Sequence, residues 1–532
     1  MVIIGRGTWI DQLASKIIER EKNLGRDLKL LRVESGLGAS GIPHVGSLGD
    51  AVRAHGIRLA LRDNGYPSEL IAFSDDLDGL RKVPAGFPDW LEDHIAKPVS
   101  AIPDPFSCHS SYGAHMSSIL TDALDRCEIP YTFKSGTETY REGILNEQIA
   151  RILEHSKEIG QQIALMSGQK KYEDVLPYFP ICEGCGRLYV AEAYEYKSEE
   201  RKVLYRCKGT KIRDRSLKGC NYEGEMSIAD GRGKLSWKAE FAARWSALDI
   251  RFEAYGKDIA DSVRINDWVA DKILDRPPPS HAKYEMFLDK SGKKISKSKG
   301  NVFTPQAWLR YGTRESLLLL MFKRMAGTRS LSPVDIPVYM DEYDELENIY
   351  FGRLKGVESN EMKLAKSRGL YEYINSLDPP KAPNAHVPYQ MLVQLTSYAP
   401  KDSVLEYVEK RLVAYKTISE PTESLKNKII LASYWAKDFT ALDASNKVKV
   451  SSDGRRALTA LATFLPGQSD PDAIQTEIFE IARRNDLLPK EFFSLLYLLL
   501  LGAERGPRLG PYLIDIGTQN AVKMIRKQLD KA

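Results

Sequence analysis

The chain has 532 residues, enough for roughly two to four domains. Its 43% hydrophobic and 28% charged residues are ordinary globular composition, which excludes a disordered or fibrous protein. A net charge of only +4 excludes a global basic field, so any nucleic acid would be met by local patches. The start, Met1-Val2-Ile3-Ile4-Gly5-Arg6, has too short an apolar run for a signal peptide. The longest apolar stretch, Phe492 to Ala503, is too short to span a bilayer and reads as a buried helix. These features predict a cytoplasmic protein with no membrane role.

In chain order, residues from about 28 to 140 alternate strand-like and helical patterns. Strands are expected at Leu28-Val33, at Glu69-Phe73 ahead of Asp75-Asp76, and at Tyr131-Lys134. That alternation predicts a Rossmann-like doubly wound parallel sheet, with the ligand crevice at the strand carboxyl ends. Between the first strand and a helix expected from Gly49 to Asn64 lies Ala39-Ser40-Gly41-Ile42-Pro43-His44-Val45-Gly46-Ser47. A glycine-rich turn lets backbone approach a ligand closely, and the helix start offers unpaired N–H groups to an anion. Taken alone, His44 also fits an ordinary turn histidine.

Two clusters have the residue types of metal ligands. Asp104, Cys108, His109 and His115 fall within twelve residues, a plausible four-ligand zinc shell. A loop with a capping Asp104 and surface histidines fits the spacing equally well. Cys127, in an amphipathic helix from Ile119 to Cys127, reads as a core residue. Cys182-Glu183-Gly184-Cys185 is a CxxC knuckle, and Cys207 with Cys220 forms a wider second pair. Short strands around them, Arg187-Val190 and Val203-Arg206, suit a zinc ribbon. Disulfides fit less well, because nothing points to an oxidising compartment.

The sheet resumes near Arg251-Phe252-Glu253-Ala254-Tyr255, and Asp271-Arg276 leads into the break at Pro277-Pro278-Pro279. Then comes Lys293-Lys294-Ile295-Ser296-Lys297-Ser298-Lys299, framed by Gly292 and Gly300. Such a loop suits a polyphosphate, through mobile ammonium groups and hydroxyl donors. After about residue 305 helical periodicity dominates, as in Leu425-Asp438, Asp472-Arg484 and Gln519-Leu529. Asp378-Pro379-Pro380-Lys381-Ala382-Pro383 is the best linker candidate.

An HxG-type turn paired with a KxSKS loop resembles the two signature motifs of class I aminoacyl-tRNA synthetases. Further segments narrow the likeness: Asp75-Asp76-Leu77-Asp78, Arg81-Lys82-Val83-Pro84, Pro103-Asp104-Pro105 and Cys108-His109 through Tyr112 to His115. So do Lys234-Leu235-Ser236-Trp237-Lys238, Arg244-Trp245, Phe252-Glu253, Gly256-Lys257-Asp258 and Tyr284-Glu285. Asn348-Ile349-Tyr350-Phe351-Gly352 and Leu496-Tyr497 through Gly502 to Gly506-Pro507-Arg508 complete the set. In order and spacing these are similar to archaeal-type class I lysyl-tRNA synthetase, across almost the full chain.

The resemblance implies ATP-dependent activation of L-lysine, with Mg²⁺ bridging phosphates, and transfer to tRNA(Lys). It implies that His44 and the loop lysine stabilise the α-phosphate as pyrophosphate leaves, with Lys297 and Lys294 holding the β- and γ-phosphates. Gly41, Gly46 and Ser47 would line the ATP site, Ser296 and Ser298 would fix the loop, and adenine is expected near Phe303. The amino-acid pocket would be walled by Gly36, Gly38, Phe241 and Tyr284. Its ammonium requires a desolvated carboxylate or several carbonyls, and Asp76, Glu240 and Asp258 are the candidate carboxylates. In the same family the Asp104, Cys108, His109 and His115 set is a zinc site, so two Zn²⁺ ions are expected with Cys182, Cys185, Cys207 and Cys220. Departures from the family pattern fall at Ser47, Ile259, Phe241, Gly38 and Asp261-Ile265.

The expected layout is a catalytic domain in two halves, 1–140 and 236–305, interrupted by a zinc-ribbon insertion at 141–235. A connecting helical domain at 306–375 and a helical anticodon-binding domain at 376–532 follow, making an α/β fold with an all-α C-terminal region. Two alternatives remain in sequence: another class I ligase of the glutamate, glutamine or arginine group, and a non-catalytic tRNA-binding paralogue.

Overall fold

A computed structural model describes residues 3–212, 215–288, 303–325, 327–354, 360–439, 448–504 and 506–530. The chain divides into two compact units. The first comprises 1–306, 320–331 and 360–378, and the second 307–319, 332–359 and 379–532.

The first unit opens with helix α1 (Trp9–Asn23), started by a capping box in which Thr8 and Asp11 bond each other's backbone N–H. Strand β1 (Leu31–Leu37) begins three residues later than the sequence suggests. The reason is local: the Asp27 carboxylate accepts the Lys29 N–H at 2.9 Å, which holds 27–29 in a turn. Helix α2 (Val45–Asp63) begins four residues earlier than expected, because His44 itself serves as its cap. Strand β2 (Ser68–Ser74), helix α3 (Tyr112–Arg126) and strand β3 (Thr132–Ser135) follow. Helix α3 runs well ahead of the apolar stretch expected to form it, since Ser111 accepts the Ala114 N–H and starts it at Tyr112. Cys127 is buried just past its end.

Helices α4 (Gly136–Arg141), α5 (Asn146–Glu154) and α6 (Ser156–Ser167) lead into a run of short strands. These are β4 (Tyr178–Pro180), β5 (Ala191–Lys197), β6 (Lys202–Cys207), β7 (Gly209–Ile212), β8 (Arg215–Lys218), β9 (Glu223–Ser227) and β10 (Gly233–Leu235). Strands β5, β6 and β9 form an antiparallel sheet, β7 pairs with β8, and β4 pairs with β10. Arg187-Val190, expected as a strand, is not one. The chain turns there through Gly186 at φ +69°, and Leu188 N–H is taken by the Ala96 carbonyl.

Helix α7 (Glu240–Ala247), strand β11 (Ile250–Gly256), helix α8 (Ala260–Trp268) and strand β12 (Ser280–Tyr284) complete the main sheet. Its order is β12-β11-β1-β2-β3, every neighbouring pair parallel. The burial of β1, β2 and β11 is nearly continuous, as expected for a parallel sheet covered on both faces. Strands after β1 add first on one side and then on the other. The strand order therefore reverses between β1 and β11, and the crevice lies at their carboxyl ends. Beyond it, β13 (Phe287–Leu288) pairs with β14 (Arg329–Ser330).

Among its described residues the second unit contains helices and no strand. Glu423–Asp438, Pro471–Arg484 and Thr518–Leu529 lie within two residues of the expected helices. The apolar run near 492 is the helix Pro489–Leu501, stopped by Gly502 in the left-handed region. No helix among the described residues is long and apolar enough to cross a membrane.

Candidate active site

Strand β1 delivers the turn that ends at His44, and α2 starts on the crevice. The Ser47 N–H donates to His44 Nδ1 at 3.2 Å, and the His44 N–H reaches Ser47 Oγ at 3.4 Å. A backbone donor on Nδ1 fixes the neutral ring as the tautomer protonated on Nε2. A Cβ on Gly46 would lie 2.8 Å from His44 Cε1 and 2.9 Å from Nδ1, so glycine makes room for the ring. The Val45 N–H donates to the Phe303 carbonyl at 2.8 Å, while Phe287 lies 3.5 Å from the Gly46 Cβ position. The chain thus enters and leaves residues 289–302 beside the His44 turn. Lys294, Ser296, Lys297 and Ser298 lie outside the described residues.

Tyr284, at the end of β12, is 5% exposed. Its hydroxyl donates to Asp50, and the Arg53 guanidinium stacks 4.1 Å from its ring centre. Burial holds Arg53 down at about 10. Phe241 is buried on α7 against Trp237 and Trp245, with the Arg244 guanidinium 5.0 Å from its ring centre. Ile259 packs on the apolar cluster around these residues, and Asp258 is exposed.

Asp76 and Glu240 are engaged with the protein itself. Asp76 accepts from Ser135 Oγ at 2.6 Å and Thr137 N–H at 2.7 Å, which ties β2 to the start of α4. Glu240 accepts from the Tyr140 hydroxyl at 2.9 Å and pairs with Lys234 at 2.9 Å. Lys234, 2% exposed, also pairs with Asp78.

A set that the motifs did not single out chemically lies deeper. Arg244, 1% exposed, places Nε 2.9 Å from Glu34, one Nη 3.0 Å from Asp75 and the other 3.7 Å from Glu253. Glu34 and Glu253 are register partners on β1 and β11. Loss of solvent pushes Glu34 up to about 8 and Asp75 to about 7, and raises Glu253, against the pull of Arg244. The sequence carried no signal for this set, since Glu34 is a lone carboxylate in a strand that also holds Arg32 and Ser35.

Both cysteine-containing clusters assemble. In each set the ligand atoms all lie within 4.8 Å of one another. Cys182 and Cys220 sulfurs are 3.5 Å apart, and those of Cys185 and Cys207 are 3.8 Å apart. Tetrahedral zinc with bonds of about 2.3 Å to sulfur requires edges of about 3.8 Å. Cys108 Sγ lies 3.1 Å from His109 Nδ1, 3.3 Å from His115 Nδ1 and 3.3 Å from Asp104 Oδ2. Asp104 also accepts the Cys108 and His109 N–H groups at 2.8 Å, which shapes the loop. The donor sets fit a metal ion such as Zn²⁺ at both places.

A profile described as "tRNA synthetases class I (K)" matches residues 7–376. A lysine–tRNA ligase of Cenarchaeum symbiosum (strain A) is 52% identical over 99% of both chains. One from Roseobacter denitrificans is 30% identical, covering 97% of this chain and 95% of its own. Among solved structures, a glutamate tRNA ligase from Elizabethkingia meningosepticum aligns over 94% of this chain and 99% of its own, at 15% identity and a TM-score of 0.34. The family profile and the near full-length relatives agree: this chain belongs to the class I tRNA synthetases of the K family.

Proposed function

We propose that this chain is a lysine–tRNA ligase, activating L-lysine with ATP and Mg²⁺ and transferring it to tRNA(Lys). The observation that carries the catalytic reading is the seating of Val45 on Phe303, with Phe287 at Gly46. It brings both ends of the segment bearing Lys294 and Lys297 to the turn bearing His44.

In activation, a lysine carboxylate oxygen attacks the α-phosphorus and pyrophosphate departs. No protein nucleophile is needed, so positioning and charge stabilisation supply the catalysis. His44 donates from Nε2 to the α-phosphate, and Lys294 and Lys297 hold the β- and γ-phosphates. Gly41, Gly46 and Ser47 let ATP approach the start of α2. A terminal ribose hydroxyl of tRNA then attacks the lysyl carbonyl, and AMP leaves. Gly36, Gly38, Phe241 and Tyr284 wall the lysine site.

Zinc at the two clusters would cross-link the loops that carry its ligands, a structural role for a closed four-ligand site. We assign residues 141–235 to a zinc-bearing insertion, 306–375 to a connecting domain and 376–532 to anticodon binding. We assign the enzyme to the cytoplasm, a reading supported by the family resemblance.

The test is ATP–pyrophosphate exchange and tRNA charging with each amino acid, with and without tRNA. Lysine alone is expected to support both reactions. His44→Ala and Lys297→Ala should each cut exchange by about 100-fold while tRNA binding is little changed. No exchange with lysine under either condition would sink the reading, and normal exchange by both variants would sink the site.

A further inference from the structure

The hairpin of β7 and β8 concentrates charge that the catalytic reading does not use. Residues 208–212 and 215–218 hold four cations, Lys208, Lys211, Arg215 and Lys218, and no carboxylate. The whole chain has a net charge of only +4, so this is a local patch rather than part of a general field. A two-stranded ribbon is marginal by itself, and this one is fixed at its base and on one face. At the base, a Cβ on Gly219 would stand 2.1 Å from the Cys207 carbonyl oxygen. One on Gly209, whose φ is +100°, would stand 2.5 Å from the Leu217 carbonyl oxygen. Glycine at both places lets the strands close this tightly. The Gly209 N–H also donates to the Val190 carbonyl at 3.1 Å.

Directly paired residues share a face of an antiparallel ribbon, and successive residues alternate between faces. Thr210 pairs with Leu217 and Ile212 with Arg215, whereas Lys211 pairs with Ser216 and Gly209 with Lys218. Ile212 and Leu217 pack on the buried cluster of Leu80, Leu91, Val99 and Tyr112. The face of Lys211 and Lys218 therefore turns outward, and both lysines are exposed. The other two cations are engaged: Lys208 lies 2.9 Å from Glu192, and Arg215 pairs with Glu92. Among the described residues, no carboxylate pairs with Lys211 or Lys218.

Lys211 also borders a cavity of about 420 Å³ whose wall includes Arg81 and Lys171. Arg81 lies 5.3 Å from the ring centre of Tyr189, and Lys171 lies 4.6 Å from that of Tyr172. A cation over a ring face is oriented without being neutralised. The wall's one carboxylate, Asp78, is shared by Lys234 and Arg81. The hairpin thus adds two unneutralised ammonium groups beside a wall already rich in cations. A fixed surface of that kind suits a polyanion with regularly repeated charge, as a phosphodiester backbone has.

We propose that the outer face of the β7–β8 hairpin, through Lys211 and Lys218, grips backbone phosphates of the bound tRNA without reading its sequence. The inference rests on the lysine-ligase reading, which supplies the RNA. It gives the stretch inserted between Cys207 and Cys220 a use of its own.

The experiment measures tRNA affinity against salt, beside charging kinetics. In Lys211→Gln/Lys218→Gln the slope of log affinity against log salt should shrink by about 1.5, two phosphate contacts being lost. The tRNA KM should rise about 10-fold at about 0.1 M salt. The lysine and ATP KM values, and kcat at saturating tRNA, should stay unchanged. Lys211→Arg/Lys218→Arg should restore the slope. Lys16→Gln/Lys29→Gln removes the same charge from exposed positions elsewhere in the first unit. That control should move the slope by less than about 0.3. An unchanged slope in the hairpin variant, or an equal change in the control, overturns the proposal. A wild-type protein that binds tRNA but charges no lysine overturns the functional reading instead, while its salt slopes still decide the role of the hairpin.

Discussion

Gly46 is constrained by its neighbour rather than by its own backbone. An added methyl would stand under 3 Å from the His44 ring, and the obstacle is a side chain that must swing aside. Gly46→Ala should therefore fold, because α2 tolerates alanine better than glycine. A ring displaced by about 1 Å is expected to cost about 100-fold in adenylate formation. Exchange kinetics beside a melting curve would separate the two effects. A variant with normal exchange would show that His44 does not act from this position. The imidazole could be singled out in the sequence only through the pairing of its turn with the downstream KxSKS loop, since alone it also fits an ordinary turn histidine. Ser47 was read only as a weak neighbour of ATP, yet its backbone sets the His44 tautomer, a role visible only once α2 is seen to begin at Val45. Glu34 was not legible at all. One carboxylate in a strand carries no spacing signal, and its partners Asp75, Arg244 and Glu253 come from three other elements.

At the scale of elements, both cysteine-containing clusters bring together residues from loops and from the ends of neighbouring elements. Cys182 and Cys185 lie on the knuckle after β4, whereas Cys207 ends β6 and Cys220 precedes β9. A metal ion would close that loop set as two pairs of contacts at 3.5 and 3.8 Å suggest. The CxxC half was readable from its spacing. The wide Cys207–Cys220 half was obscure because the β7–β8 hairpin is inserted between its two ligands. Sequence cannot distinguish such an insertion from an unrelated cysteine. Elemental analysis of purified protein is expected to give two zinc ions per chain. Cys182→Ser and Cys108→Ser should each lower the count by one, since a closed site that loses a thiolate binds zinc far more weakly. A wild-type count of one, with either variant leaving it unchanged, would remove that variant's cluster from consideration.

At the scale of the whole molecule, the two units offer separate handles on stability, and a chain with two cores need not unfold in one step. Both candidate metal sets belong to the first unit, so chelation should lower its transition and leave the other in place. The second unit has its own buried charge cluster, joining the helices Ile336–Tyr350, Tyr389–Tyr398 and Glu423–Asp438. His386 lies 3.2 Å from Asp344 and 2.6 Å from Glu347, Lys428 pairs with Asp344, and Asp341 accepts the Tyr389 N–H at 2.7 Å. Burial lifts Asp341 from 3.8 to about 7. His386 is raised from 6.5 by its two carboxylate partners, although burial opposes them. Each group binds its proton more tightly folded than unfolded. Each therefore contributes stability at low pH that is lost as pH rises through its folded pKa. For Asp341 that loss runs from about 4 to about 7. Asp341→Asn keeps a carbonyl oxygen for the Tyr389 N–H and removes the titration. Calorimetry across this window should show the variant's second-unit transition gaining on the wild type as pH rises, with the first-unit transition unaffected. A constant difference between variant and wild type from pH 4 to pH 8 would show that Asp341 titrates normally in the fold.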